Sequence, residues 1–245
     1  SIAQFLLLLF VALKKRILRI SKPDFFGLHT KTMFRQVPAK VSSGFLTGLI
    51  SVTDQFFAAQ LIIGSIAALN YGLRIPAFFT SIIVMALGNV LLPYFSKLSL
   101  TNKNEAFKSL YYIIKRLFIG LTIIAVVLIF TSDFIVELCF ERDQFTSEDT
   151  KVVANIQRMF LLGLPFTICG NIIVRFLTSI NKNTFMAYIS FATVILNIIL
   201  DILLMKFYGV MGIALCTAFL QIFRSLIYLK YTTNQQKIMV SNNPL

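Results

Sequence analysis

"FMAYISFATVILNIILDILLMKF", residues 185–207, decides the class of fold. At ~1.5 Å per residue it makes a helix about 35 Å long, enough to cross a hydrocarbon core of ~30 Å. Its only charged residues are Asp201 and Lys206. Lys206 sits at one end, where a long side chain reaches water. Asp201 does not, and it lies four residues from Asn197, so both side chains stand on one face of the helix, a turn apart. The segment therefore spans a membrane and carries two polar groups inside it.

The rest of the chain agrees. Of its 245 residues, 57% are hydrophobic and 13% charged, with a mean hydropathy of +0.81. Soluble domains carry about 25% charged residues. The polar surface is too small to cover a water-soluble globule, so the chain is an all-α integral membrane protein. Its net charge of +13 falls between apolar runs and without an RNA-binding or helix-turn-helix pattern, which excludes a nucleic-acid partner. Cys139, Cys169 and Cys216 are far apart and the lone His29 has no companion, so neither a disulfide framework nor a His/Cys metal centre is expected.

Six full crossings are expected at about 38–63, 66–94, 109–131, 152–179, 185–207 and 210–230, separated by polar or glycine-containing turns. The opening "SIAQFLLLLFVALKKR" holds too short an apolar run for a seventh and looks like the tail of a transmembrane helix. The expected organisation is 1–36, a helix end and a basic interlobe loop; 37–233, a six-helix bundle; and 234–245, a tail. Lys14, Lys15, Arg16, Arg19, Lys22, Lys31, Arg35 and Lys40 stand against Asp24 alone in the first loop. Lys97, Lys103, Lys108, Lys115 and Arg116 cluster around the next, and Lys182, Lys230 and Lys237 follow. By the positive-inside rule these regions and the tail face the cytoplasm. "TSDFIVELCFERDQFTSEDTK" carries Asp133, Glu137, Glu141, Asp143, Glu148 and Asp149 against two bases and faces outside, with an amphipathic portion along the surface.

Asp54 and Asp201 are then the acids left inside the membrane, and Arg74 is the clearest intramembrane base. Such groups cost roughly 2.5–3.5 kcal/mol each on insertion scales and persist when paired, hydrated or functional. Counted at ~1.5 Å per residue, Asp54, Arg74, Asn197, Asp201 and Thr217 all lie about 9–15 Å below the outer surface. Two carboxylates, an amide oxygen and a hydroxyl are hard donors suited to a hard cation such as Na⁺, with H⁺ carried by one Asp as the alternative. A backbone carbonyl would join them only through a local distortion near Ile213. Arg74 either offsets the carboxylate charge or binds an anionic, phosphate-bearing substrate from a cavity. The plainer reading is that Asn197 and Asp201 are hydrogen-bonding glue between helices and that Arg74 snorkels to the interface. Arg158 and Arg175 read as interfacial anchors, Pro76, Pro93 and Pro165 as helix interruptions, and the 25 phenylalanines chiefly as lipid-facing bulk. Nothing resembles a nucleophile elbow, P-loop or HExxH motif, so no enzyme is expected.

"VTDQFFAAQLIIGSIAALNYGLRIPAFFTSIIVMALGNVLLPYFSKLS", residues 52–99, resembles the MurJ/MviN family of lipid II flippases: an Asp-bearing helix, a Gly-Ser turn, an Arg-bearing helix and an "LLPxxS" ending. "CFERDQFTSEDT" and "LNIILDILL…GVMGIAL" extend the resemblance over nearly the whole chain. It implies a lobe of the multidrug/oligosaccharidyl-lipid/polysaccharide exporter fold: the end of a sixth helix and the second six-helix lobe, with the N-terminal lobe missing. It implies a bacterial inner-membrane protein that moves an undecaprenyl-diphosphate-linked glycan across the bilayer by alternating access. By position, Arg74 matches a cavity arginine that contacts the lipid diphosphate. Asp54, Asn197, Asp201 and Thr217, with the carbonyl of Ile213, match a sodium site described in some members. Ala77 stands where members often carry an acid. Export of another lipid-linked polysaccharide or of a drug is the alternative, and an inert scaffold for cell-wall enzymes is a third.

Overall fold

A computed structural model describes residues 2–14, 28–142 and 144–241; of the basic first loop, Lys15, Arg16, Arg19, Lys22 and Asp24 lie outside the described residues, as does Asp143. Among the described residues every regular element is a helix: α1 Ile2–Lys14, α2 Leu28–Ala58, α3 Ser65–Thr101, α4 Lys103–Phe130, α5 Ser132–Phe140, α6 Ser147–Ser179, α7 Asn183–Tyr208 and α8 Val210–Ser241. The chain divides into two compact units, Ser1–Val37 and Pro38–Leu245, and everything below concerns the second.

Local chemistry sets the helix ends. Gly64 precedes α3 at φ 94°, a left-handed conformation that glycine adopts without a Cβ penalty. The Asn102 side chain accepts from the Glu105 N–H to start α4. Before α6, Thr146 and Asp149 form a reciprocal capping box, which carries that helix several residues beyond its expected start at 152. Gly209, at φ 55°, turns α7 into α8. Pro76, Pro93 and Pro165 all lie inside continuous helices, where they were expected to interrupt them.

Five helices, α3, α4, α6, α7 and α8, are long and apolar enough to cross a membrane. This makes the protein a multi-pass membrane protein. The first expected crossing lies on α2, which ends at Ala58 and is followed by a turn over 59–64. α2 is long enough but too polar to qualify by composition, because Lys40, Ser43, Thr47, Thr53 and Asp54 interrupt its apolar face.

α6 is the central helix. It is the most buried of the five and packs against α3, α4, α5 and α8, while α7 lies against α8. Small residues permit the closest approach: a Cβ on Gly163 would come within 3.1 Å of the Ala218 Cα on α8. The largest apolar cluster joins α3, α4 and α6 through Leu91, Phe95, Phe107, Leu110, Ile168 and Phe176. The Phe176 ring sits 5.3 Å from Phe95 and 4.9 Å from Phe107, edge to face. These three phenylalanines are core residues, so the expectation of lipid-facing bulk holds only for others such as Phe78, Phe130 and Phe207. α2 differs from its neighbours. Its end is anchored by buried Phe57 and Ala58, but further back it is tied by side-chain hydrogen bonds, Lys40 Nζ to Thr178 Oγ1 at 3.1 Å and Ser43 to Ser190 at 3.0 Å.

Candidate functional site

The polar residues singled out in α2, α7 and α8 meet at one point. Asn197 and Asp201 face inward on successive turns of α7 and are fully buried; Asp54 of α2 is 7% exposed. The Asn197 amide bridges the two carboxylates. Its Nδ2 donates to Asp54 Oδ1 at 2.9 Å and to Asp201 Oδ2 at 3.0 Å. The Thr217 hydroxyl, from α8, lies 2.8 Å from Asp54 Oδ2 and 3.2 Å from the Ile213 carbonyl oxygen. Its one hydrogen serves either acceptor, so the Ile213 carbonyl borders the cluster through Thr217, while α8 runs unbroken through that turn.

The donor count falls short of the acceptor count. Asn197 Oδ1 and Asp201 Oδ1 are buried and accept no hydrogen bond. A buried acceptor without a donor costs about 1–3 kcal/mol, more when it is charged. Among the described residues the ion pair formed is between Arg158 and Asp133, at the end of the bundle that carries the acidic loop. Among the described residues no basic side chain pairs with Asp54 or Asp201. The cluster's oxygens are the ligand type that a hard cation takes. The described residues contain no group of three His, Cys, Asp or Glu suited to a metal ion, so carboxylate, amide, hydroxyl and backbone oxygens are what the site offers.

Of the residues expected at the site, the structure gathers Asp54, Asn197, Asp201, Ile213 and Thr217 and leaves Arg74 apart. Arg74 is exposed on α3 and forms no ion pair with either carboxylate. Similar depth along the bundle did not bring it to the same side. It does not offset the carboxylate charge here; contact with an external anion and snorkelling to the interface both suit an exposed guanidinium.

Three side chains take a part here that the sequence reading did not give them. Cys216, read as a small core residue, is fully buried against Asn197, with Sγ 3.7 Å from Nδ2 and 3.8 Å from the backbone oxygen. Arg175 is not an interfacial anchor. Its guanidinium lies across Gly88 of α3, 3.2 Å from where a Cβ would stand. It lines a groove of about 560 Å³ with Asn89, Asn171 and Gln221, and Thr217 borders the same groove. The cluster thus adjoins an open polar cleft through its hydroxyl. Arg224, on α8 one turn from Gln221, donates to Gln221 Oε1 at 2.6 Å. A glycine facing an arginine across two helices was the one sequence signal for Arg175, and it is visible only once the pairing of α3 with α6 is known.

Comparison with known proteins follows from this architecture. The chain is 27% identical over 211 residues to a probable lipid II flippase MurJ of Rickettsia prowazekii, covering 86% of this chain and 41% of that one. It is 33% identical over 202 residues to the Rhizobium tropici counterpart, 80% of this chain and 37% of that one. The chain thus spans about two-fifths of the length of such relatives. Among solved structures, a lipid II flippase MurJ in an inward closed conformation superposes with a TM-score of 0.69 at 28% identity, covering 78% of this chain and 41% of that one. A multidrug resistance transporter of the MATE family superposes at 0.69 with 19% identity over 81% of this chain and 44% of that one, a likeness of fold alone. The family model described as "Lipid II flippase MurJ" matches residues 1–243, and the chain belongs to that family.

Proposed function

We propose that the protein works in moving a lipid-linked peptidoglycan precursor, lipid II, across a bacterial inner membrane by alternating access, coupled to Na⁺ held by Asp54, Asn197, Asp201, Thr217 and the Ile213 carbonyl. The observation that supports the coupling is the pair of buried oxygens, Asn197 Oδ1 and Asp201 Oδ1, left without donors beside two carboxylates. A cation bound there offsets charge and gives both oxygens a partner. It also ties α2 to α7 and α8, three helices that otherwise meet here mainly through side chains. Carriage of H⁺ by one Asp is the rival for the coupling ion, and it leaves the second orphaned oxygen without a partner.

Arg74 contributes a guanidinium to the cargo's diphosphate, a bidentate match that Lys would not reproduce. The basic loops and the tail face the cytoplasm. A partner lobe of the same fold closes the cavity opposite α3 and α6. The protein acts as a transporter, not an enzyme: its residues bind and release, and no bond in the cargo is broken.

The test uses the protein as its gene encodes it, reconstituted in vesicles with a lipid-linked glycan diphosphate, and measures translocation with and without a Na⁺ gradient. Wild type responds to the gradient and Asp54→Asn does not. Translocation by both, indifferent to Na⁺, refutes the coupling; no translocation by wild type under any gradient refutes the flippase reading.

A further inference from the structure

We infer that the bundle holds a second anion station, a hydroxyl-lined pocket between Lys40 of α2 and Arg224 of α8, which takes a lipid-borne phosphate or diphosphate group. The pocket has a volume of about 260 Å³ and is bordered by Lys40, Ser43, Thr47, Ser190, Arg224 and Tyr228. That is far above the ~15 Å³ that admits a single water. None of its lining residues is acidic.

Its cations are under-used. Arg224 is half-buried, and among the described residues one of its five N–H groups is accounted for, by Gln221. Lys40 donates to a neutral hydroxyl, that of Thr178. Arg175 stands close enough to Lys40 for the two charges to repel, and Asn171 borders both this pocket and the Arg175 groove. Three positive charges crowd one stretch of a membrane bundle, and among the described residues no carboxylate pairs with them. Lys40 stands at the basic end of the bundle and Arg224 lies deeper; a charge at membrane depth is kept when it faces a partner or a functional ligand. An anion with several oxygens satisfies both Lys40 and the Arg224 fork, and the hydroxyls around it, Ser43 bonded to Ser190 and Thr47 to the Ser43 carbonyl, would turn to donate to it; a single carboxylate would leave most of the cationic donors unused.

The station is distinct from Arg74. Ser43 is eleven residues from Asp54 along α2, about 16 Å at ~1.5 Å per residue, and lies toward the basic end of the bundle. Arg175 meets α3 at Gly88, fourteen residues from Arg74, or about 21 Å. A phosphate crossing from the basic to the acidic end would meet Lys40 and Arg224 first and Arg74 last. This ordering rests on the flippase reading above; the anion site itself does not.

The experiment measures binding, not flux, so it succeeds or fails independently of translocation. Titration calorimetry on the purified protein, as its gene encodes it, uses inorganic diphosphate in one arm and a short-chain polyprenyl diphosphate in detergent in the other. An Arg74→Gln background removes the other candidate contact. On that background both probes still bind, the lipid-borne one more tightly. Arg224→Gln and Lys40→Gln each weaken binding about tenfold, the loss of one charge-assisted contact, while Arg224→Lys restores part of it. Affinity unaffected by either Gln substitution in a protein with an unchanged melting curve overturns the proposal. Binding of inorganic diphosphate but not of the lipid overturns the assignment to a lipid-borne group. Absence of binding by wild type, with Arg224→Gln lowering the melting temperature, assigns Arg224 to a carboxylate elsewhere in the protein instead.

Discussion

Replacing Asn197 by Leu keeps the branched side-chain shape and removes the amide that bridges Asp54 and Asp201. The two hydrogen bonds to one nitrogen, 2.9 and 3.0 Å, place the two carboxylate oxygens within 5.9 Å of each other. The two carboxylates stand that close with or without the amide, so the substitution is felt through the two hydrogen bonds it removes. Polar contacts between membrane helices average ~0.6 kcal/mol and reach ~1.7. The expected destabilisation in Na⁺-free buffer is therefore roughly 1–3 kcal/mol. For a chain of this size each kcal/mol lowers the melting temperature by about 2–4 °C, so Asn197→Leu melts roughly 2–12 °C below wild type. Thermal unfolding of the purified protein in detergent, in a choline or potassium background, measures it. The control is Asn197→Leu combined with Asp201→Asn, which removes one charge and recovers most of the loss. A single variant that melts within a degree of wild type refutes the argument, because the amide would then contribute nothing to the two carboxylates it bridges.

Other substitutions separate structural from functional roles. Gly72→Ala puts a Cβ 2.5 Å from the Ile156 Cγ2 and 3.2 Å from the Gln157 backbone nitrogen; overpacking of this kind costs about 1–3 kcal/mol and shows as a lower melting temperature. Arg74→Ala, at an exposed position without an ion pair, leaves the melting temperature unchanged and abolishes translocation of a diphosphate-linked lipid. Loss of stability without loss of transport would reverse that assignment. Asp133→Asn breaks the ion pair to Arg158, whose side chains are 58% and 26% exposed, and costs less than about 1 kcal/mol. A larger drop in melting temperature would show that the pair anchors α5 to α6.

The helices were legible in the sequence because a membrane span is written in length and apolarity, and five of six met both tests. α2 did so only in part, since a helix that turns Lys40, Ser43 and Asp54 toward its neighbours loses the composition of a span while keeping its length. The cluster was legible for the same reason in reverse. Asp54, Asn197 and Asp201 are costly where they stand, and the spacing of the last two fixes them on one face. Depth along each helix follows from counting residues, and azimuth does not. Asp54, Thr217 and Arg74 share a level, yet the first two meet and Arg74 points away. Arg175 misled for a related reason: one turn from the end of α6 it reads as an anchor, but α3 runs alongside it and offers Gly88 as a seat. Composition was silent on which phenylalanines pack inward, since lipid and core are equally apolar.

The central claim is that the buried oxygens of α2, α7 and α8 hold a small cation. The most direct measurement is the melting temperature of the purified protein against NaCl at constant ionic strength, choline replacing sodium, for wild type and for Asp201→Asn. A ligand at a hundred times its dissociation constant stabilises by about 2.7 kcal/mol, a rise of roughly 5–11 °C for a chain of this size. The account predicts that rise in wild type, saturating with sodium, and its absence in Asp201→Asn. Equal, sodium-indifferent curves for the two proteins would contradict it.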